Sequence, residues 1–160
     1  MTYLHPRYRD KHRLVAVPRK TFGSFSGPTG LFHHCEIVDN WKGGTSLVCE
    51  GVETALSCHQ AAPHTHLIAT LGKQNYARLD PALLNSRVVL VMDNDGQDLA
   101  SDKVLLKTTK RLKAAGKEVF IVIPPNIDGR TKTDMNDILR ARGIEAVEKL
   151  IRDDIKEVSL

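Results

Sequence analysis

An α/β domain with a mainly parallel sheet flanked by helices is the fold class this sequence predicts. From Ser46 onward, short apolar runs rich in β-branched residues alternate with segments of helical period. One run, Val88-Val89-Leu90-Val91-Met92 after Arg87, is apolar throughout, as a strand buried on both faces must be. Acids and glycines directly follow the strands, at Glu50-Gly51, Leu71-Gly72 and Asp93-Asn94-Asp95-Gly96. That is the edge where open parallel sheets bind ligands.

Residues 1–44 read as a basic N-terminal arm or β-hairpin, and residues 45–160 as the α/β domain. In the arm, Arg13 to Val17 forms one expected strand and Gly30 to His34 its partner. Gly23, Gly27, Pro28 and Gly30 supply turn chemistry between them. Ser46 to Cys49 is the first strand of the domain. A helix follows from Val52 to about Ala62, with Val52, Ala55, Leu56 and His59 on one face and Pro63 closing it. His66 to Thr70 is the next strand. Residues 73–86 are a connector with a short helix near Asp80 to Leu84.

Arg87 to Met92 is the strongest strand. The next helix runs from about Leu99 to Ala115, placing Ala100, Val104, Leu105, Thr108 and Leu112 inward, and Gly116 ends it. Glu118 to Ile123 is a further strand, stopped by Pro124-Pro125. Asp134 to Ala141 begins with a capping-box-like Asp-x-x-Asp and ends at Gly143. A last helix, Ile144 to about Val158, repeats Ile144, Val147, Leu150, Ile151 and Ile155 at helical spacing.

Composition narrows the class. The 160 residues fit one domain, and 41% apolar with 26% charged residues is ordinary globular usage, which excludes disorder and fibre. No apolar run approaches the ~18 residues of a membrane span, and Leu14 to Val17 is too short for a secretory core, so a cytoplasmic location is expected. Cys35, Cys49 and Cys58 show no CxxC spacing. Cys58, His59, His64 and His66 read as a buried thiol and a polar turn, with a metal cluster as the alternative. The net charge of +4 divides unevenly: residues 1–30 hold Arg7, Arg9, Lys11, Arg13, Arg19 and Lys20 against Asp10 alone, a net +5, leaving the remainder at −1.

The acids carry the chemistry. Asp93 and Asp95 are two apart, so an extended backbone aims both carboxylates the same way. Glu50 joins them if the first and third strands are neighbours. Three carboxylates in one crevice need a cation, and oxygen ligands with open positions suit Mg2+ or Mn2+. Helix capping by an Asp and a solvated strand end at Glu50 are the alternatives. Gly51 and Gly96 permit close approach of a backbone or phosphate.

Glu50-Gly51-Val52-Glu53-Thr54-Ala55 and the strand into Asp93-Asn94-Asp95-Gly96 resemble the Toprim domain of topoisomerases, primases and related nucleases. Lys132-Thr133-Asp134-Met135-Asn136-Asp137-Ile138-Leu139 is similar to a late motif of the primase-type domains of phages, plasmids and conjugative elements, with one extra residue. The likeness covers roughly residues 45–142. It implies a Toprim-like, Rossmann-like fold, with Glu50 as general base or acid and Asp93 and Asp95 as the Mg2+-binding pair. Glu50 is counted with that pair as a metal ligand. Asp134 and Asp137 are either a further acidic corner of the site or a helix cap.

The function this implies is Mg2+-dependent (or Mn2+-dependent) nucleotidyl transfer by a primase module, acting on DNA or RNA with nucleotides. A small Toprim nuclease and a non-catalytic binding domain of a larger conjugation or replication protein are the rivals. The remainder of a larger primase or relaxase polypeptide is an expected partner, and a membrane is not. Lys73, Lys132 and the six cations of the arm are the expected phosphate contacts. Lys103, Lys107 and Lys110 follow one helical stripe, read as a solvated helix face with phosphate contact as the alternative.

Overall fold

The computed structural model describes residues 44–158 except 97 and 128, together with the backbone of five short strands between residues 2 and 37. The chain divides into two compact units, Met1–Phe32 and His33–Leu160. In the first, β1 (Thr2–Tyr3), β2 (Tyr8–Asp10), β3 (Arg13–Val15) and β4 (Lys20–Thr21) form two antiparallel pairs, β1 with β4 and β2 with β3. The strand expected at Arg13 is present, but Tyr8–Asp10 is its partner: Asp10 pairs with Arg13 and Tyr8 with Val15. Only two residues separate those strands, so closing this hairpin costs less entropy than reaching Gly30. Gly30 to His34 lie outside the described residues.

The second unit contains β5 (Cys35–Ile37), β6 (Thr45–Cys49), α1 (Val52–Ala61), β7 (His66–Ala69), β8 (Arg87–Val91), α2 (Lys103–Ala114), β9 (Glu118–Val122), α3 (Met135–Arg142), α4 (Ile144–Asp153) and β10 (Lys156–Glu157). Its sheet has the order β10-β9-β8-β6-β7-β5. The four central strands are parallel, and β5 and β10 close the two edges antiparallel. The fold is thus the expected mainly parallel, Rossmann-like sheet flanked by helices. β5 belongs to the sheet although it was expected in the arm, because the open edge of β7 accepts it, with Cys35 opposite Ala69.

The central strands are buried along nearly their whole length. On one face, Leu47, Cys49, Leu67, Ala69, Val89 and Val91 form a core with Ala55 and Cys58 of α1, Met135 and Ile138 of α3, and Val147 and Leu150 of α4. Alternation sends Val48, Ile68, Val88 and Leu90 to the opposite face. There α2 packs against β9 and against a 3-10 turn, Lys73–Arg78.

Three helices depart from expectation. α1 buries Thr54, Ala55, Ser57 and Cys58, whereas Leu56 is 47% exposed. The inward face consists of small residues, which let the helix lie close to the sheet. α2 starts at Lys103 because the Asp102 carboxylate caps it, accepting from the backbone N–H groups of Val104 and Leu105. Leu99–Ser101 is a separate 3-10 turn, and Ala100 is exposed. α4 stops at Asp153, since the unpaired edge of β9 captures Lys156–Glu157 as a strand.

Cys58 is buried beside Cys49, and the Cys49 thiol is pushed up by its hydrogen bond to Cys58 and by burial. His66 Nδ1 meets Ser46 Oγ at 2.8 Å and His64 is exposed, so the Cys58–His66 segment is a core thiol and a turn. Among the described residues no helix is long and apolar enough to cross a membrane.

Leu90, fully buried at the sheet centre, should lose about 2–5 kcal/mol on substitution by Ala. Leu56→Ala should change stability by no more than about 0.5 kcal/mol. Urea unfolding of the two variants checks this contrast.

Candidate functional site

The chain runs from β6 outward to β7, then returns across β6 to β8, so β6 lies between the two. This is the topological switch point of the sheet, where a crevice opens beyond the strand ends. Cys49 pairs with Val91 in the parallel register. Glu50 follows the first and Asp93 stands two residues after the second, so both acids stand at this crevice.

Several hydrogen bonds hold the edge. Thr70 N–H donates to Cys49 O at 2.9 Å and Gly72 N–H to Glu50 O at 3.0 Å, tying the end of β7 to β6. The buried Tyr76 hydroxyl donates to Val91 O at 2.9 Å, just before the acidic segment. Asn94 and Thr133 form an isolated antiparallel bridge, with N–H to O distances of 2.8 and 3.1 Å. Asn94 Nδ2 also donates to Pro124 O at 2.9 Å. The bridge carries the start of α3 to the edge and sets Asp134 near Asp93.

Asp93 registers this crowding. Burial pushes its carboxyl up to about 7, and Glu50, Asp134 and Asp95 push the same way, while Lys73 opposes them. Its Oδ1 is buried without a hydrogen-bond donor. An inward carboxylate oxygen with no donor, amid further carboxylates, fits a hard divalent cation such as Mg2+ or Mn2+. Among the described residues the acids share this edge without closing into a preformed group of three ligands.

The model of the Toprim domain matches residues 45–145, the span from β6 to the start of α4. The chain belongs to the Toprim family. Toprim domains act on nucleic acids in metal-dependent reactions, in general with Mg2+. Comparison with curated proteins finds no match.

The Toprim domain also brings cations to this edge. After β7 the backbone turns through Leu71, at φ 61°, and Gly72, at φ 140°. A non-glycine residue in the left-handed region is strained. The turn opens the 3-10 segment at Lys73, whose ammonium lies 2.6 Å from Asp102 Oδ2. Burial raises Asp102, but Lys73 and the N–H groups of Leu105 and Val104 outweigh it and hold the carboxyl below its usual range. Lys132 is 74% exposed, 3.6 Å from Asp95. A cleft of about 450 Å³ is lined by Lys73, Asp95, Ser101, Asp102 and Lys103.

Asp134 accepts the N–H of Asp137 at 2.7 Å, and Asp137 accepts that of Asp134 at 3.3 Å, a reciprocal capping box. Asp137 is also paired with Arg130. Asp134 therefore caps α3 and borders Asp93, whereas both oxygens of Asp137 are engaged by neighbours. Gly51 caps α1, and a Cβ there would meet nothing within 4 Å, so the space beside Glu50 is open. Gly96 adopts φ 70° and donates to Asn94 Oδ1 at 3.2 Å. The side chains of Arg7, Arg9, Lys11, Arg13, Arg19 and Lys20 lie outside the described residues.

Sequence reasoning missed four residues that shape the edge: Asn94, Thr133, Tyr76 and Asp102. Asp102 alone had a local signal, an Asp directly before a helical run. The others act through partners remote in sequence.

The raised Asp93 carboxyl implies a pH dependence. In the metal-free protein the folded state retains a proton that the unfolded chain releases above about pH 4. The stability it contributes is full below that pH and is lost as pH rises through about 7. Asp93→Asn should flatten this decline, matching wild type near pH 4 and exceeding it at pH 8. Denaturant titrations at the two pH values in a chelator check it; parallel declines would contradict it.

Proposed function

We propose that this Toprim domain performs Mg2+-dependent nucleotidyl transfer on nucleic acid, of the primase type. The observation that supports it most is Asp93, half-buried at the switch point with a donorless oxygen and flanked by Glu50, Asp95 and Asp134. The likeness of the segment from Lys132 to Leu139 to the primase-type motif favours this subclass.

Asp93, Asp95 and Glu50 would hold the cation, which when bound neutralises charge on the phosphate. Glu50 accepts the proton of the attacking hydroxyl, standing beside the open space at Gly51. Lys73 and Lys132 bind phosphate oxygens, each releasing the carboxylate it now faces, Asp102 and Asp95. Gly96 keeps the turn beyond Asp95 free of a side chain. Asp134 orients α3 through its cap and adds negative charge next to Asp93, while Asp137 completes the capping box.

With single-stranded DNA templates, NTPs and Mg2+ or Mn2+, short oligoribonucleotides are the expected product. Glu50→Gln should reduce their formation by about 10²-fold or more, the usual contribution of a general base. Metal-dependent degradation without NTPs would replace the primase reading with a nuclease. DNA binding with neither activity would leave a binding module.

A further inference from the structure

Between Lys103 and Lys117 the sequence carries six cations and no acid. The structure separates them into two sets. Arg111 donates to Ala77 O at 2.8 Å, Lys117 to Leu84 O at 2.6 Å, and Lys113 to Val158 O. Arg111 and Lys113 anchor α2 to its surroundings, and Lys117 anchors the turn that follows it. Lys103, Lys107 and Lys110 are exposed and have no partner among the described residues.

A merely solvated helix face is usually built otherwise, and the same protein supplies the comparison. The exposed side of α4 mixes Glu145, Glu148, Lys149, Arg152 and Asp153, with Arg152 and Glu148 paired at 3.2 Å one turn apart. On α2, Lys103 with Lys107 and Lys107 with Lys110 are like-charge neighbours at helical spacing, which destabilises a helix. Lys103 also sits at the positive N-terminal end of the helix dipole. An external anion along this face would relieve the repulsion between the lysines.

The stripe is continuous with the acidic edge. Lys103 lines the cleft that also contains Lys73 and the acids Asp95, Asp98 and Asp102, of which Asp102 is paired with Lys73. From Lys103 to Lys110 the helix rises about 10 Å, at roughly 1.5 Å per residue. At about 3.4 Å of axial rise per nucleotide, that length matches roughly three phosphates of one strand.

We propose that the outward face of α2, Lys103, Lys107 and Lys110, is a track for the phosphate backbone of the nucleic acid as it leaves the cleft at Asp95. The proposal rests on the nucleic-acid reading of the site and adds the surface and the direction of approach. The contacts are to phosphate, so they affect every sequence alike.

The test is the salt dependence of binding, by fluorescence anisotropy of a labelled single strand with the full chain in Mg2+. The variant Lys103→Gln, Lys107→Gln, Lys110→Gln should flatten the slope of log affinity against log salt by about 2, at roughly 0.7 per phosphate contact on a single strand. The charge-matched variant Arg140→Gln, Arg142→Gln, Lys149→Gln should retain the wild-type slope. Bound DNA should also protect Lys103, Lys107 and Lys110, but not Lys149, from acetylation in the wild-type protein. Equal flattening in both variants would reduce the effect to net charge and overturn the track. An unchanged slope in a track variant that still processes DNA would overturn the track and leave the site reading standing. A wild-type chain without affinity for nucleic acid would overturn both.

Discussion

The parallel pairing of β6 with β8, Cys49 opposite Val91, is the constraint on which the rest of the site depends. It exists because the chain lays β7 on one side of β6 and then returns to the other. Two strands remote in sequence thereby finish together, and the residues just beyond them, Glu50 and Asp93, stand at one crevice. The Asn94–Thr133 bridge adds the start of α3 to the same place. Nothing local in the chain would gather these acids; the order of the strands does.

That gathering creates an electrostatic problem that the neighbouring side chains answer only in part. Asp93 is short of solvent, its Oδ1 has no donor, and its nearest charged neighbours are mostly acids. Lys73 opposes them but is itself held by Asp102. A hydrophobic substitution would remove the strain and the site together. Strain of this kind at a strand-end crevice is what a cation-binding centre requires, because the ligand supplies the missing counter-charge. The cations at the edge answer other acids first: Lys73 is paired with Asp102 and Lys132 with Asp95.

Much of this was legible in the sequence. The continuous apolar run of β8, the helical period of α3 and α4, and the acids after each strand follow from local chemistry, and they located the edge. Lys73 was placed there by its position after Leu71-Gly72 alone. What was illegible depended on partners far along the chain. Leu56 faces solvent because the small residues of α1 make the better fit to the sheet. Residues 156–157 left the helix pattern because the edge of β9 was open to them. Asp134 combined two readings that sequence kept apart, a helix cap and an acid beside Asp93, since its position is determined by the bridge between Asn94 and Thr133, two residues remote in sequence whose pairing no periodicity encodes.

The central claim is that the edge holding Glu50, Asp93 and Asp95 is a divalent-cation site. Calorimetric titration of the full chain with Mn2+, in the presence of a short single-stranded oligonucleotide to supply phosphate, tests it most directly. The account predicts saturable binding in wild type that is lost in the double variant Asp93→Asn, Asp95→Asn while the variant stays folded. Undetectable binding in wild type, or the same affinity in both proteins, would contradict it.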